Sequence, residues 1–186
     1  MMVTWLRNLV SHNRIWVSAF VFLLFFVAAR PTLLSMGIGL PVVFLGEAIR
    51  IWSSGHIVKN DSLTTSGPYR LTRNPLYVGN FFLGLGFVLM AGLPLMILVF
   101  VPVFFFIYDA TIAEEEKFLT QRYGEAFRTY QKTVPRFFPN LSFAASSTGR
   151  FSWSLVKKHR EMKTWLAILA GVLLFLFKMW IYPGAS

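Results

Sequence analysis

The residue types that could bind a charged ligand are densest in the segment 66–80, which reads SGPYRLTRNPLYVGN. Its Gly67-Pro68 pair is a turn signal, and its Asn74-Pro75 pair is typical of an N-cap followed by the first residue of a helix. The start of a helix offers backbone N–H groups and a positive dipole end, which favour an anion such as a carboxylate. Arg70 and Arg73 could bind the same anion. The segment therefore predicts an anion-binding site, although its arginines and tyrosines could also be ordinary anchors at a membrane surface.

A second group of charged residues is the acidic run Glu114–Glu116, in a chain that is otherwise basic. A spacing of four residues then places several side chains on one helix face. These side chains are Glu115, Leu119, Tyr123 and Phe127. Because a carboxylate that faces apolar neighbours usually has a partner, we expect Glu115 and Glu116 to act in the site. Glu114 is equally well explained as a solvated acid that pairs with Lys117.

Two further charges, Glu47 and Arg50, lie three residues apart within an apolar segment. Such residues either pair with each other on one helix face or mark a functional site inside a membrane. We expect these two to pair. His56 follows in a polar loop and could approach a substrate, although a single histidine in such a loop most often has no functional role.

The composition of the chain identifies the kind of scaffold that must position these residues. Of the 186 residues, 55% are hydrophobic and 14% are charged, which is typical of a bundle of membrane spans. The net charge of +10 comes from cationic residues that flank apolar segments, so an anionic membrane surface is a better partner than nucleic acid. The absence of cysteine excludes disulfides and thiolate nucleophiles, and three scattered histidines predict no metal site.

The apolar segments predict an all-α polytopic membrane bundle of about five spans. The predicted spans cover residues 15–29, 33–52, 76–90, 95–108 and 164–182. The third and fourth form a helical hairpin, because Ala91-Gly92-Leu93-Pro94 interrupts an apolar run too long for one helix. The helix that starts at Leu95 is expected to continue to about Gln131. We divide the chain into a core, residues 1–141, and a basic linker with a final transmembrane helix, residues 142–186.

The distribution of Lys and Arg predicts the orientation of this bundle. Most of the 18 Lys and Arg residues lie in the N-terminal segment, in the loop before residue 76 and in the segment 109–163. The positive-inside rule places these three regions in the cytoplasm and the C-terminus on the other side. Both motif-bearing segments then face the cytoplasm, where a soluble cofactor could reach them, and the inner membrane of a bacterium is the expected location.

The two motifs together resemble a known family of membrane enzymes. The string GPYRLTRNPLYVGN, followed after the hairpin by EEKFLTQRYGEAFRTYQKTVPRFFP, is similar to the isoprenylcysteine carboxyl methyltransferases and phospholipid methyltransferases over about residues 45–139. The resemblance implies a helical membrane fold with S-adenosylmethionine in a cytoplasm-facing pocket. It also implies a tunnel that opens toward the bilayer for a lipophilic substrate.

The resemblance also implies which residues surround the cofactor. The matching positions are Gly67, Pro68, Tyr69, Arg70, Arg73, Asn74, Pro75, Tyr77, Gly79, Glu115 and Glu116. Among them, Arg73, Glu115 and Glu116 are expected to act in catalysis, and Arg136 matches the end of the family pattern. Many members carry His where this chain has Asn74, so their substrate does not transfer directly. The final span lies outside the matching region.

The chemistry of methyl transfer is compatible with these residue types. Transfer from a sulfonium requires in-line positioning and exclusion of water, and it requires neither a metal nor a catalytic triad. A carboxylate acceptor needs no base, whereas an amine would need one, for which Glu115, Glu116 and His56 are the candidates. Two alternatives remain open: a sterol-reductase-type enzyme with a nicotinamide cofactor, and a non-enzymatic transport or assembly protein. The sequence leaves the acceptor and the oligomeric state undetermined.

Overall fold

The computed structural model describes residues 14–57, 62–142, 150–159 and 161–182. The N-terminal segment with its predicted charges, Lys59 and part of the predicted basic linker lie outside these ranges. The described residues form helices joined by turns, which confirms the predicted all-α class. The helices are α1 (Arg14–Ala28), α2 (Leu33–Ser54), a 3₁₀ turn (Gly67–Arg70), α3 (Pro75–Met90), α4 (Met96–Tyr123), α5 (Glu125–Thr133), α6 (Trp153–Lys158) and α7 (Glu161–Ile181).

Three of the described helices, α2, α4 and α7, are long and apolar enough to cross a membrane. Helix α3 is a shorter apolar helix of 16 residues, and α1 has 15 residues. The predicted hairpin is confirmed as α3 and α4, with the break at residues 91–95. The predicted count of five spans depends on α1 and α3, whose lengths are below the usual requirement of about 20 residues.

One predicted boundary is wrong, because α4 ends at Tyr123 and does not continue to Gln131. Gly124 has φ +53° and ψ −124°, a backbone conformation that breaks the helix and that glycine adopts at little cost. A separate short helix, α5, starts at Glu125. The four-residue stripe predicted from Glu115 to Phe127 is therefore divided between two helices.

Glycines bring α2 and α3 into close contact. The two helices are antiparallel, and Gly39 and Gly46 of α2 lie opposite Gly86 and Gly79 of α3. A Cβ atom on Gly46 would lie 2.8 Å from the carbonyl oxygen of Gly79, and one on Gly86 would lie 2.9 Å from that of Gly39. Both pairs are seven residues apart in sequence, so each helix presents a stripe of small residues that lets the backbones approach.

The polar segments lie at one end of the bundle, where α2 finishes and α3 begins, and this end is called the motif end below. Residues 71–74 contact residues 131–140 there. At the opposite end, Arg30 N–H donates to the carbonyl oxygen of Ala91 at 2.7 Å, and Ser35 Oγ donates to that of Met90 at 3.1 Å. The turn between α1 and α2 is thus fixed to the hairpin turn.

The glycine contact predicts a sharp difference between two alanine substitutions. In Gly86→Ala the new Cβ would lie 2.7 Å from the backbone nitrogen of Val43, so the helices must separate. We expect a loss of about 1–3 kcal/mol in the free energy of unfolding, measured as a lower melting temperature by scanning fluorimetry in detergent. Gly37→Ala is the matched control, because nothing lies within 4 Å of its Cβ and alanine favours a helix. Equal melting temperatures for the two variants would contradict the proposed importance of this contact.

Candidate active site

The 3₁₀ turn forms the first part of the site and packs on the end of α2. Gly67 has φ +58°, and a Cβ atom there would lie 2.5 Å from the imidazole ring of His56. Glycine is therefore required both by the backbone conformation and by the close approach of the ring. Pro68 and Tyr69 are buried in the same turn. The predicted turn signal is confirmed, and His56 is a packing partner of it.

A short segment outside the helices, residues 134–140, covers the start of α3 and is called the strap. Arg73 N–H donates to the carbonyl oxygen of Pro135 at 2.9 Å, and Asn140 N–H donates to that of Leu71 at 2.8 Å. Thr72 Oγ1 also donates to the carbonyl oxygen of Arg136, at 3.2 Å. These bonds join the two sequence motifs directly, although a hairpin of two helices separates them in the chain.

Glu116 lies at the centre of the contacts that hold the strap. Its carboxylate is 3.0 Å from Arg73 Nε and 3.6 Å from Arg136 Nε, and it accepts a hydrogen bond of 3.3 Å from Asn74 Nδ2. Arg136 also forms an ion pair with Asp109. The side chains of Arg73 and Glu116 are only 11% and 13% exposed, so this pair is largely removed from water. Arg73 Nη1 donates in addition to the carbonyl oxygen of Gln131 at 2.9 Å.

The structure gives Asn74 a different role from the predicted N-cap. Asn74 occupies the residue before α3 and Pro75 the first helical position, as expected, but the Asn74 side chain makes no capping bond. Its Nδ2 donates instead to Glu116 and, at 3.0 Å, to the carbonyl oxygen of Arg136. An amide can make both contacts because its NH₂ group has two donors.

Glu115, the neighbour of Glu116 on α4, bonds to a side chain of α3. Tyr77 Oη donates to Glu115 Oε1 at 2.7 Å, and the Tyr77 ring lies 5.3 Å from that of Tyr108. Glu115 thus has a partner, as the sequence predicts, and it is exposed together with residues 113 and 114. Its carboxylate is thus accessible to a ligand while one oxygen is held by a tyrosine.

Tyr69 and Arg70, two of the predicted ligand-binding residues, each carry a polar group that could bind a ligand. The Tyr69 hydroxyl is buried and has no hydrogen-bond partner within the described residues. Burial raises the pKa of Tyr69 well above its ordinary value, and nearby tyrosines and the carboxylates of Glu115 and Glu161 raise it further. This hydroxyl therefore remains a donor at any physiological pH. Arg70 is half-buried and has no ion-pair partner in the described part of the chain.

A third group of polar residues surrounds Arg50, and the sequence analysis found only its Glu47 partner. The predicted pair with Glu47 is present at 3.6 Å, but Arg50 is closer to Glu161 of α7, at 2.7 Å. Glu161 also accepts a hydrogen bond of 2.6 Å from Ser54 Oγ, and Arg50 donates to Asn80 Oδ1. The available sequence signal was that Glu161 is the single acidic residue after Glu125.

Gly79 also belongs to this region. A Cβ atom there would lie 2.5 Å from Arg50 Cγ and 2.8 Å from the carbonyl oxygen of Gly46. The glycine at this position is thus explained by helix packing, which brings Arg50 next to α3.

An apolar cavity of about 200 Å³ begins beside these polar groups. One face of α3 and one face of α4 form its walls, and α1 and α7 complete it. Its lining residues are Phe22, Phe25, Asn80, Gly84, Phe87, Val88, Phe100, Val103, Phe104, Ile107, Tyr108 and Phe175. Asn80 and Tyr108 carry the polar groups of this lining. The cavity therefore has a polar end toward the motifs, and apolar side chains line the rest of it.

The central ion pair predicts that the strap is released when Arg73 is removed. Arg73→Ala leaves Glu116 with the more distant Arg136 and the Asn74 amide, and we expect a loss of roughly 3 kcal/mol in the free energy of unfolding. Trypsin should also cleave faster after Arg136 in the strap. The control is Arg128→Ala, whose ion pair with Glu125 is 60% and 79% exposed and should contribute less than about 1 kcal/mol. If both variants resist heat and trypsin equally, Arg73 does not hold the strap.

Comparisons with known proteins agree with this arrangement. The family model for phospholipid methyltransferases matches residues 45–126. The cobalt-zinc-cadmium resistance protein CzcN of Cupriavidus metallidurans is 34% identical over 146 residues, covering 76% of this chain and 66% of that protein. The nickel-cobalt-cadmium resistance protein NccN of Alcaligenes xylosoxydans xylosoxydans is 34% identical over 114 residues, covering 60% of this chain and 53% of that protein.

Eukaryotic enzymes are also similar to this chain. The protein-S-isoprenylcysteine O-methyltransferase of Xenopus laevis is 33% identical over 114 residues, covering 55% of this chain and 40% of the enzyme. The chain thus spans between two fifths and two thirds of the length of these relatives. No solved structure matches at a significant level. The matching region contains the 3₁₀ turn, α3 and the acidic run, and this part of the chain is similar to the phospholipid methyltransferase family and to the isoprenylcysteine enzymes.

Proposed function

We propose that this protein transfers a methyl group from S-adenosylmethionine to a lipophilic acceptor that occupies the apolar cavity. The observation that carries the proposal is the meeting of the polar motifs and the cavity on one helix, α3. Tyr77 of α3 bonds to Glu115, and Asn80, one turn later, lines the cavity. A polar donor on one side and an apolar acceptor on the other would therefore meet near Tyr77, Asn80 and Tyr108.

The residues available at the motif end fit the polar groups of S-adenosylmethionine. Arg70, which forms no ion pair with the other described residues, could bind the carboxylate, and exposed Glu115 can accept from the ammonium group or the ribose hydroxyls. The buried Tyr69 hydroxyl needs an acceptor, which a ligand in this turn would supply. We assign Arg73, Asn74 and Glu116 to positioning, because each is already bonded to the strap or to one another.

In the proposed reaction, the cofactor supplies the reactive group and the protein positions the reactants. When bound, S-adenosylmethionine supplies an electrophilic methyl group on a positively charged sulfur. The chain aligns the acceptor, excludes water through the strap and the aromatic cavity wall, and surrounds the reacting atoms with fixed dipoles. A carboxylate acceptor, of the kind named in the isoprenylcysteine enzymes, needs no base. For an amine acceptor, Glu115 is the residue placed to take a proton.

The proposal extends to the membrane orientation. Many of the described cationic side chains are near the motif end, including Arg70, Arg73, Lys117, Arg128 and Arg136. The positive-inside rule then favours a cytoplasmic motif end, where soluble S-adenosylmethionine is available, in the inner membrane of a bacterium. Neither the family model nor the relatives named above is of the sterol-reductase type, so the reductase alternative receives no support.

Cofactor binding is tested first, by calorimetry with S-adenosylmethionine and its demethylated product on protein in detergent. We expect both to bind the wild type. Tyr69→Phe should bind roughly tenfold more weakly, because a buried donor to the ligand is lost. Its melting temperature should not fall, because the hydroxyl makes no internal hydrogen bond. Tyr182→Phe, an exposed tyrosine at the other end of the bundle, is the control. Folded wild-type protein that binds a nicotinamide cofactor and no S-adenosylmethionine would refute the proposal.

The role of the cavity is tested by labelled methyl transfer to lipid extracts and to N-acetyl-S-farnesylcysteine. Val103→Trp fills the cavity and should lower kcat/KM for the acceptor at least tenfold, while cofactor affinity is retained. Val99→Trp adds the same bulk one turn earlier on α4, where the side chain is exposed, and should have wild-type activity. Equal activity of Val103→Trp and wild type would show that the acceptor binds elsewhere.

A further inference from the structure

The C-terminal helix α7 lies outside the matched family region, yet it contributes a wall to the apolar cavity. We propose that α7 is a specificity element of the acceptor site and that Phe175 limits the length of the acceptor chain. This inference rests on the proposed function, because it assumes that the cavity holds the apolar part of a methyl acceptor.

Polar contacts fix the first turns of α7 to the core at the motif end. Glu161 is 4% exposed and bonds to Arg50 at 2.7 Å and to Ser54 at 2.6 Å. Trp165 Nε1 donates to Glu47 Oε1 at 2.6 Å, which adds a second attachment one turn later. Arg50 in turn donates to Asn80, the polar residue of the cavity. The position of α7 is therefore coupled to the polar end of the cavity.

The other end of α7 is attached to α1. Lys178 Nζ donates to the carbonyl oxygens of Phe26 and Val27, the latter at 2.8 Å, at the end of α1. Both carbonyls belong to the last turn of α1, where helix carbonyls lack the usual intrahelical donors and a lysine is well suited to bond to them. With both ends attached, α7 presents Phe175 to the cavity in a defined position.

Phe175 closes the end of the cavity that lies away from the motifs. It is 1% exposed and lies 6.1 Å from Phe87, 5.4 Å from Phe26 and 6.2 Å from Phe22, measured between ring centroids. Phe87 is seven residues after Asn80 on α3, which is roughly 10 Å along the helix axis. An acceptor with its polar group at Asn80 would thus meet this cluster of rings after about that length of chain.

The experiment compares acceptors that differ only in chain length. N-acetylcysteines carrying S-geranyl, S-farnesyl or S-geranylgeranyl chains are assayed in lipid nanodiscs for binding and, separately, for methylation. Phe175→Ala lengthens the cavity and should shift the ratio of affinities toward the longest chain by about tenfold. Phe175→Leu, which keeps a large apolar side chain and is the safer variant for folding, should shift it in the same direction by less. Phe175→Trp should shift the ratio toward the shortest chain.

Phe177→Ala is the matched control, because Phe177 is the same residue type on the same helix but is 56% exposed outside the cavity. It should leave the ratio unchanged. An unchanged ratio in folded Phe175→Leu and Phe175→Trp would overturn the inference, as would an equal shift in Phe177→Ala. Binding ratios that shift without any methylation would support the role of Phe175 and refute the proposed function. Methylation with an unshifted ratio would refute only the role of Phe175.

Discussion

The close approach of α2 and α3 is the constraint on which the rest of the structure depends. At Gly46 and Gly79 no side chain separates the two backbones, so Arg50 of α2 reaches Asn80 on the next helix. The same approach places the end of α2 against the 3₁₀ turn, where Gly67 meets the His56 ring. In hydrocarbon, packing of this kind replaces the hydrophobic effect as the force between helices, because lipid chains are as apolar as the side chains. A bulkier residue at this contact would force α2 away from α3, where both the polar motif and the cavity lie.

Two ion-pair networks hold the strap and α7, which the contact between α2 and α3 does not hold. Glu116 connects Arg73 and Arg136 and so holds the strap over α3, whereas Arg50 connects Glu47 and Glu161 and so holds α7. Arginine suits both positions because its guanidinium can donate to several groups at once. Burying such charges costs desolvation energy, and the surrounding hydrogen bonds offset part of it. Arg73 is thus engaged within the protein, whereas Arg70 forms no ion pair with the other residues that the structure describes.

The proposed reaction explains why a polar site and an apolar cavity share a helix. A water-soluble methyl donor and a lipid-soluble acceptor must meet where water is excluded and where both are held in line. Within one turn, helix α3 passes from the polar side, where Tyr77 bonds to Glu115, to the apolar side, where Asn80 lines the cavity. The rigid aromatic packing beyond Asn80 gives the acceptor side a fixed shape, so chain length can be recognised there without polar contacts.

The sequence by itself determined the membrane helices, the hairpin and the position of the two motifs, because run lengths of apolar residues and Gly or Pro turns are local properties. The Glu47–Arg50 pair follows from local spacing, but only the tertiary structure decided the more distant partners of the charged side chains. Glu161 lies 111 residues after Arg50, and nothing local to either residue predicts that they bond. Asn74 makes its contacts with Glu116 and the strap in place of the predicted cap, and Gly79 packs on Arg50. The partners of these side chains depend on which helices pack together, and a local sequence pattern does not predict that packing.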